Sequence, residues 1–100
     1  MALVMKFGGT SVGSADAMRE TSDLILQARD IWSDVAAIAS AMGSKPVKVT
    51  DLLLQGAHSA FEGDGETFRR LARQLRDIHH EAIDGLHLPD RERQVVRAEL

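Results

Sequence analysis

The chain has 100 residues, 44% hydrophobic and 27% charged, with 12 lysines and arginines against 15 acidic residues and a net charge of −3. That is apolar content for one small globular piece, without the low hydrophobicity of a disordered segment or the positive surplus of a nucleic-acid binder. There is no cysteine, which excludes a disulfide framework, a thiolate metal site and a cysteine nucleophile; there is also no long apolar run and no secretory signal, so the expectation is a cytoplasmic protein with neither nucleic acid nor membrane as partner.

Ala2-Leu3-Val4-Met5-Lys6-Phe7 is a short apolar run that stops at Gly8, long enough for a strand buried on both faces and too short for a helix. Lys6 stands at its end and Gly8-Gly9 fill the turn behind it. Glycines without Cβ let backbone N–H groups come close to an anion and adopt positive φ, and Thr10 and Ser11 add hydroxyl donors. A helix expected from about Ala15, capped by Ser14 with Asp16 in its first turn, directs its positive end into the same space. Lys6, Gly8, Gly9, Thr10 and Ser11 are thus a candidate phosphate site, with the compact Lys6 ammonium as its catalytic cation. A plain strand-to-helix turn would use the same glycines, and the two readings are compatible. Gly43-Ser44-Lys45 lacks the spacing and ending of a P-loop, and Gly8 to Gly13 does not spell the dinucleotide fingerprint.

Ala17, Met18, Thr21, Leu24, Ile25, Ala28, Ile31 and Trp32 follow i, i+3, i+4, i+7 spacing, the pattern of an amphipathic helix with one core-facing side. Asp34 interrupts it, and Val35-Ala36-Ala37-Ile38-Ala39 reads as a second buried strand leading into Ser40. Strand, helix, strand is one βαβ unit with parallel strands, whose loops open at the same edge. From Thr50, read as an N-cap, the pattern is helical throughout. A helix bearing Leu53, Leu54, Ala57 and Phe61 breaks at Gly63-Asp64-Gly65. A longer one, capped by Asp64, turns Phe68, Leu71, Ala72, Leu75, Ile78, Ala82 and Ile83 inward and ends at Gly85. Leu88-Pro89-Asp90 starts the last helix with Pro89 in its first turn, and Val95, Val96 and Leu100 carry no stop signal, as in a helix cut short. The fold class expected is α/β, one parallel βαβ unit followed by helices, with no linker or repeat.

Lys6, Lys45 and Lys48, the three lysines, fall in the two loops of that edge, whereas nine arginines occupy helical segments. Arg69, Arg70, Arg73 and Arg76 read as a solvated helix face, and His58, His79, His80 and His87 form no i, i+4 pair that would build a zinc face.

Lys6-Phe7-Gly8-Gly9-Thr10-Ser11-Val12 matches without a mismatch the opening motif of aspartate kinases, members of the amino-acid kinase family. Ser40-Ala41-Met42-Gly43 followed by Val49-Thr50-Asp51-Leu52-Leu53-Leu54 resembles the serine-alanine loop and threonine-led helix after their second strand, with Ser44-Lys45-Pro46-Val47 as an insertion. The resemblance implies an amino-acid kinase fold, of which residues 1–100 would be an incomplete N-terminal portion. It implies phosphoryl transfer from ATP to the β-carboxylate of L-aspartate, a step of lysine, threonine and methionine synthesis, in a homo-oligomer. It assigns ATP contact to Lys6, Phe7, Gly8, Gly9, Thr10 and Ser11, and substrate contact to Ser40, Ala41 and Thr50. Mg²⁺ on the phosphates comes with the family, although no carboxylate ligand stands out and Asp51 is explained by first-turn helix electrostatics. Such enzymes are several times longer, so these 100 residues alone are expected to be inactive. Two rivals are a family member acting on another carboxylate or a carbamate, and a non-catalytic helical binding module using the Glu66–Asp84 helix, which leaves the glycine loop unexplained.

Overall fold

The apolar runs on either side of the first helix form the two strands. β1 (Ala2–Phe7) and β2 (Asp34–Ala39) pair in parallel, Lys6 opposite Ile38 and Phe7 opposite Ala39. Between them runs α1 (Ala15–Ile31), whose N-cap is Ser14: its backbone is extended and its hydroxyl accepts from the Ala17 N–H at 3.2 Å. The Ser33 hydroxyl donates to the Met1 carbonyl at 2.8 Å and accepts from the Met1 ammonium at 2.9 Å, pinning the start of β1 beside β2. This computed structural model describes residues 1–43 and 48–100; Ser44-Lys45-Pro46-Val47, with the insertion and Lys45, lie outside the described residues. The chain packs as two compact units, Met1–Lys48 and Val49–Leu100.

The strands, expected to be buried on both faces, are covered on one. Leu3 and Met5 are half-buried and Phe7 is buried, alternating with exposed Ala2, Val4 and Lys6. Val4 and Ile38 remain 66% and 57% exposed. A two-stranded sheet with one helix packed on it has a single apolar layer, and the period-2 alternation of side chains decides which of them that layer reaches. The stripe on α1 is likewise wider than the sheet beneath it: Thr21 and Ala28 are buried, whereas Ile31 is exposed and Trp32, the C-cap, half-buried.

In the second unit α2 (Val49–Phe61) packs on α3 (Gly65–Leu86), and α3 on α4 (Asp90–Ala98). Between α2 and α3 Gly63 takes φ 77°, which a side chain would resist, and Asp64 caps α3 by accepting from the Thr67 N–H at 3.1 Å. Several expectations are corrected. α2 begins at Val49, so Thr50 lies in its first turn and is not the cap. Its buried residues are Val49, Leu52, Gly56 and Ser59, while Leu53, Leu54, Ala57 and Phe61 are exposed. Apolar residues lie around most of α2, so periodicity selects no face and packing against α3 makes the choice. On α3, Leu71, Ala82 and Ile83 are buried as expected, but Phe68 and Ala72 are exposed. Gly85 does not end that helix: it runs to Leu86, and His87 takes the left-handed cap conformation (φ 52°, ψ 44°) usually left to glycine or asparagine. Pro89 then stands at the N-cap of α4, one residue before the first turn, and α4 closes at Ala98. Arg97 joins α4 to α3 through Asp84 at 3.1 Å. No helix among the described residues is long and apolar enough to cross a membrane.

Candidate phosphate-binding site

Beyond the buried Phe7 the chain turns at once. Gly8 is extended (φ −74°, ψ 175°), Gly9–Val12 form one 3-10 turn, and Gly13 (φ −80°, ψ −9°) leads to Ser14. The expected positive φ is absent from these glycines; among the described residues it occurs at Gly63 and His87. What demands glycine here is contact. A Cβ on Gly9 would lie 2.9 Å from the Gly43 Cα and 3.2 Å from the Ala41 carbonyl oxygen, and one on Gly43 would lie 3.1 Å from the Gly9 Cα. A Cβ on Gly8 meets nothing within 4 Å.

Two backbone bonds stitch the loops after β1 and β2 together. The Ser40 N–H donates to the Phe7 carbonyl and the Gly43 N–H to the Gly9 carbonyl, both at 3.0 Å. The first extends the parallel ladder one step past the strands. From the other side, α1 reaches the turn through Thr21, a buried residue whose hydroxyl donates to the Ser11 carbonyl at 2.7 Å. Within the turn the Ser11 N–H donates to the Gly8 carbonyl at 3.1 Å. The first amides of a helical turn have no acceptor inside it, so those of Gly9 and Thr10 are the donors left for an anion.

Of the residues singled out from sequence, Phe7 and Gly9 are brought against Ser40 and Ala41 in this way, with Gly8, Thr10 and Ser11 in the same turn. Lys6 is exposed on the uncovered face of β1, two residues before Gly8. Ser40 and Ala41 are exposed, and Met42 beside them is buried. Thr50 is exposed and belongs to the second unit. Lys48 is exposed. Sequence reasoning passed over two residues that hold this arrangement, Gly43 and Thr21. Thr21 carried a signal: it is the one hydroxyl on the apolar stripe of α1, and a hydroxyl carried into a core needs a partner. Among the described residues no three histidine or acidic side chains gather in a group able to hold a metal ion. Asp51 belongs to no such group.

No family model matches the chain. It is 32% identical over 90 residues to an aspartokinase of Bacillus sp. (strain MGA3), covering 81% of this chain and 22% of the relative. It is 34% identical over 68 residues to an aspartate kinase of Pseudomonas fluorescens (strain SBW25), covering 68% of this chain and 15% of the relative. Among solved structures, the crystal structure of Clostridium acetobutylicum aspartate kinase superposes with a TM-score of 0.73 over 96% of this chain and 22% of that one, at 20% identity, a likeness of fold. Over most of its own length the chain is similar to aspartate kinases, and it spans about a fifth or less of the length of the curated relatives it matches.

Proposed function

We propose that this stretch serves the ATP side of aspartate phosphorylation in a protein of its relatives' length, in the cytoplasm, on the route to lysine, threonine and methionine. The observation that carries the reading is the turn Gly8–Ser11, held against the Ser40–Gly43 loop by the Gly43 N–H on the Gly9 carbonyl, directly beyond Lys6. In the reaction a β-carboxylate oxygen of L-aspartate attacks the γ-phosphorus of ATP and the bond to the bridging oxygen breaks, giving aspartyl phosphate and ADP. Positioning and charge do most of the work in such a transfer. The Gly9 and Thr10 amides and the Thr10 and Ser11 hydroxyls cradle phosphate oxygens, and the backbone of Phe7 sets the start of the cradle. Lys6 supplies the compact positive charge for the transferring group. Ser40 and Ala41 border the acceptor carboxylate, and Thr50 contacts the amino acid. The working form is a homo-oligomer.

A chimaera tests this reading: the Bacillus aspartokinase with its matched segment replaced by this chain, assayed by trapping the acyl phosphate with hydroxylamine. Aspartate-dependent turnover is expected, falling on the order of 10²-fold or more in Lys6→Met because a preorganised charge at the transferring group is worth several kcal/mol. Near-normal turnover of Lys6→Met in a folded chimaera would remove Lys6 from the mechanism. The 100 residues alone are expected to give no hydroxamate.

A further inference from the structure

We infer that Thr21 is a positioning residue of the glycine loop: it fixes the loop amides without itself touching a ligand. The inference rests on the phosphate reading for its functional meaning and on backbone geometry for its substance. A threonine inside a helix ordinarily turns its hydroxyl toward the carbonyl of the preceding turn or toward solvent. Thr21 instead donates out of α1 to the Ser11 carbonyl at 2.7 Å, and the residue is only 8% exposed. The Ser11 carbonyl lies next to the end of the 3-10 turn, where carbonyls run out of helical donors. One bond therefore satisfies two polar groups, and losing the donor leaves the Ser11 carbonyl without this partner.

The bond also completes a chain of ties through the loop. The Thr21 hydroxyl holds the Ser11 carbonyl, the Ser11 N–H holds the Gly8 carbonyl at 3.1 Å, and on the far side the Gly43 N–H holds the Gly9 carbonyl at 3.0 Å. The amides of Gly9 and Thr10 lie between these fixed points. An open pocket of about 330 Å³ lies against the turn on the α1 side, and Thr21 is part of its lining with Phe7, Thr10, Ser11, Glu20 and the 50%-exposed Leu24. Val12 packs the turn through a buried side chain, and the Thr21 bond adds a directional tie that packing alone does not supply.

Amide hydrogen exchange on the purified chain tests this, comparing Thr21→Val, which keeps the shape and removes the hydroxyl, with Thr21→Ser, which returns it. The Ser11 amide is expected to exchange about fivefold faster in Thr21→Val, the size of one lost hydrogen bond, and to recover in Thr21→Ser. Protection across α3 should stay unchanged in both. Equal Ser11 exchange in wild type and Thr21→Val overturns the inference. So does loss of protection throughout β1 and α1 that Thr21→Ser fails to restore, since that is a role in folding alone. Titrating ATP into the same samples separates this claim from the phosphate reading. Shifts at Gly8–Ser11 whose affinity weakens about threefold to fivefold in Thr21→Val support both. No shift in the wild type sinks the phosphate reading, and the exchange result still decides whether Thr21 positions the turn.

Discussion

Gly8 and Gly9 are neighbours with opposite tolerances. At Gly9 an added methyl group meets the Gly43 backbone at 2.9 Å, and backbone has no rotamer with which to yield. At Gly8 the methyl meets nothing within 4 Å, on a backbone (φ −74°) open to any residue. Gly9→Ala is therefore expected to destabilise the unit carrying the loop by about 1–3 kcal/mol, the usual scale of overpacking. Gly8→Ala should stay within about 0.5 kcal/mol of wild type in the same urea titration. Because its fold is untouched, Gly8→Ala isolates function: on the proposed phosphate reading the methyl crowds the anion's approach, so ATP should bind more weakly at unchanged stability. ATP binding equal to wild type in Gly8→Ala would make the turn merely structural. That the chain turns directly after Phe7 was legible because an apolar run ending in two glycines marks a turn. Which of the glycines is irreplaceable was not, since that depends on Gly43, a contact between loops far apart in sequence.

At the level of elements, the signals that worked were local ones. Ser14 and Asp64 cap the helices they were expected to cap, each accepting from an N–H three residues on, because capping is decided within one turn. The faces of α2 and the end of α3 depend on what packs against them, and there the pattern misled. Gly56 is a case: buried on α2, it leaves room for a methyl group, with nothing within 4 Å of its would-be Cβ. Gly56→Ala should stabilise α2 by about 0.5–1 kcal/mol through helix propensity, seen as a raised thermal midpoint; a lowered midpoint would mean that α3 packs against the Cα itself. The Asp64 cap makes a second prediction. Its carboxyl is held below the ordinary value, first by the Thr67 hydroxyl and then by the Thr67 amide, with the Arg70 charge adding. A carboxyl lowered in the folded state stabilises it fully above the unfolded value near about 3.9, and that contribution is lost as pH falls through the lower folded value. Asp64→Asn keeps a capping oxygen that does not titrate in this range. The gap in thermal midpoint between wild type and Asp64→Asn should accordingly be largest at neutral pH and shrink in acid; a gap independent of pH would deny the carboxylate its role.

For the whole molecule, the βαβ order was legible because strand and helix differ in period, whereas the division into units at Lys48 and Val49 carries no glycine- or serine-rich linker by which to see it. The burial of the strands was misjudged for a related reason: an apolar run announces that a face wants covering, and says nothing about whether these 100 residues contain the cover. In the first unit Val4 is 66% and Ile38 57% exposed on a sheet of two strands, each with an unpaired edge. In the second, Leu54 is 65% and Phe61 87% exposed on one side of α2. Single exposed apolar side chains are ordinary, but clustered ones beside open strand edges draw partners. With a net charge of only −3, repulsion between copies is weak. The isolated chain is therefore expected to self-associate, its light-scattering mass rising above that of one chain at high micromolar concentration. Paired Leu54→Glu and Phe61→Glu changes add charge on the exposed side of α2, away from the buried Leu52 and Ser59, and should shift the association to higher concentration without loss of helicity. A wild-type chain that stays monomeric over the same range would show that these surfaces, though apolar, are too small or too scattered to hold a second copy.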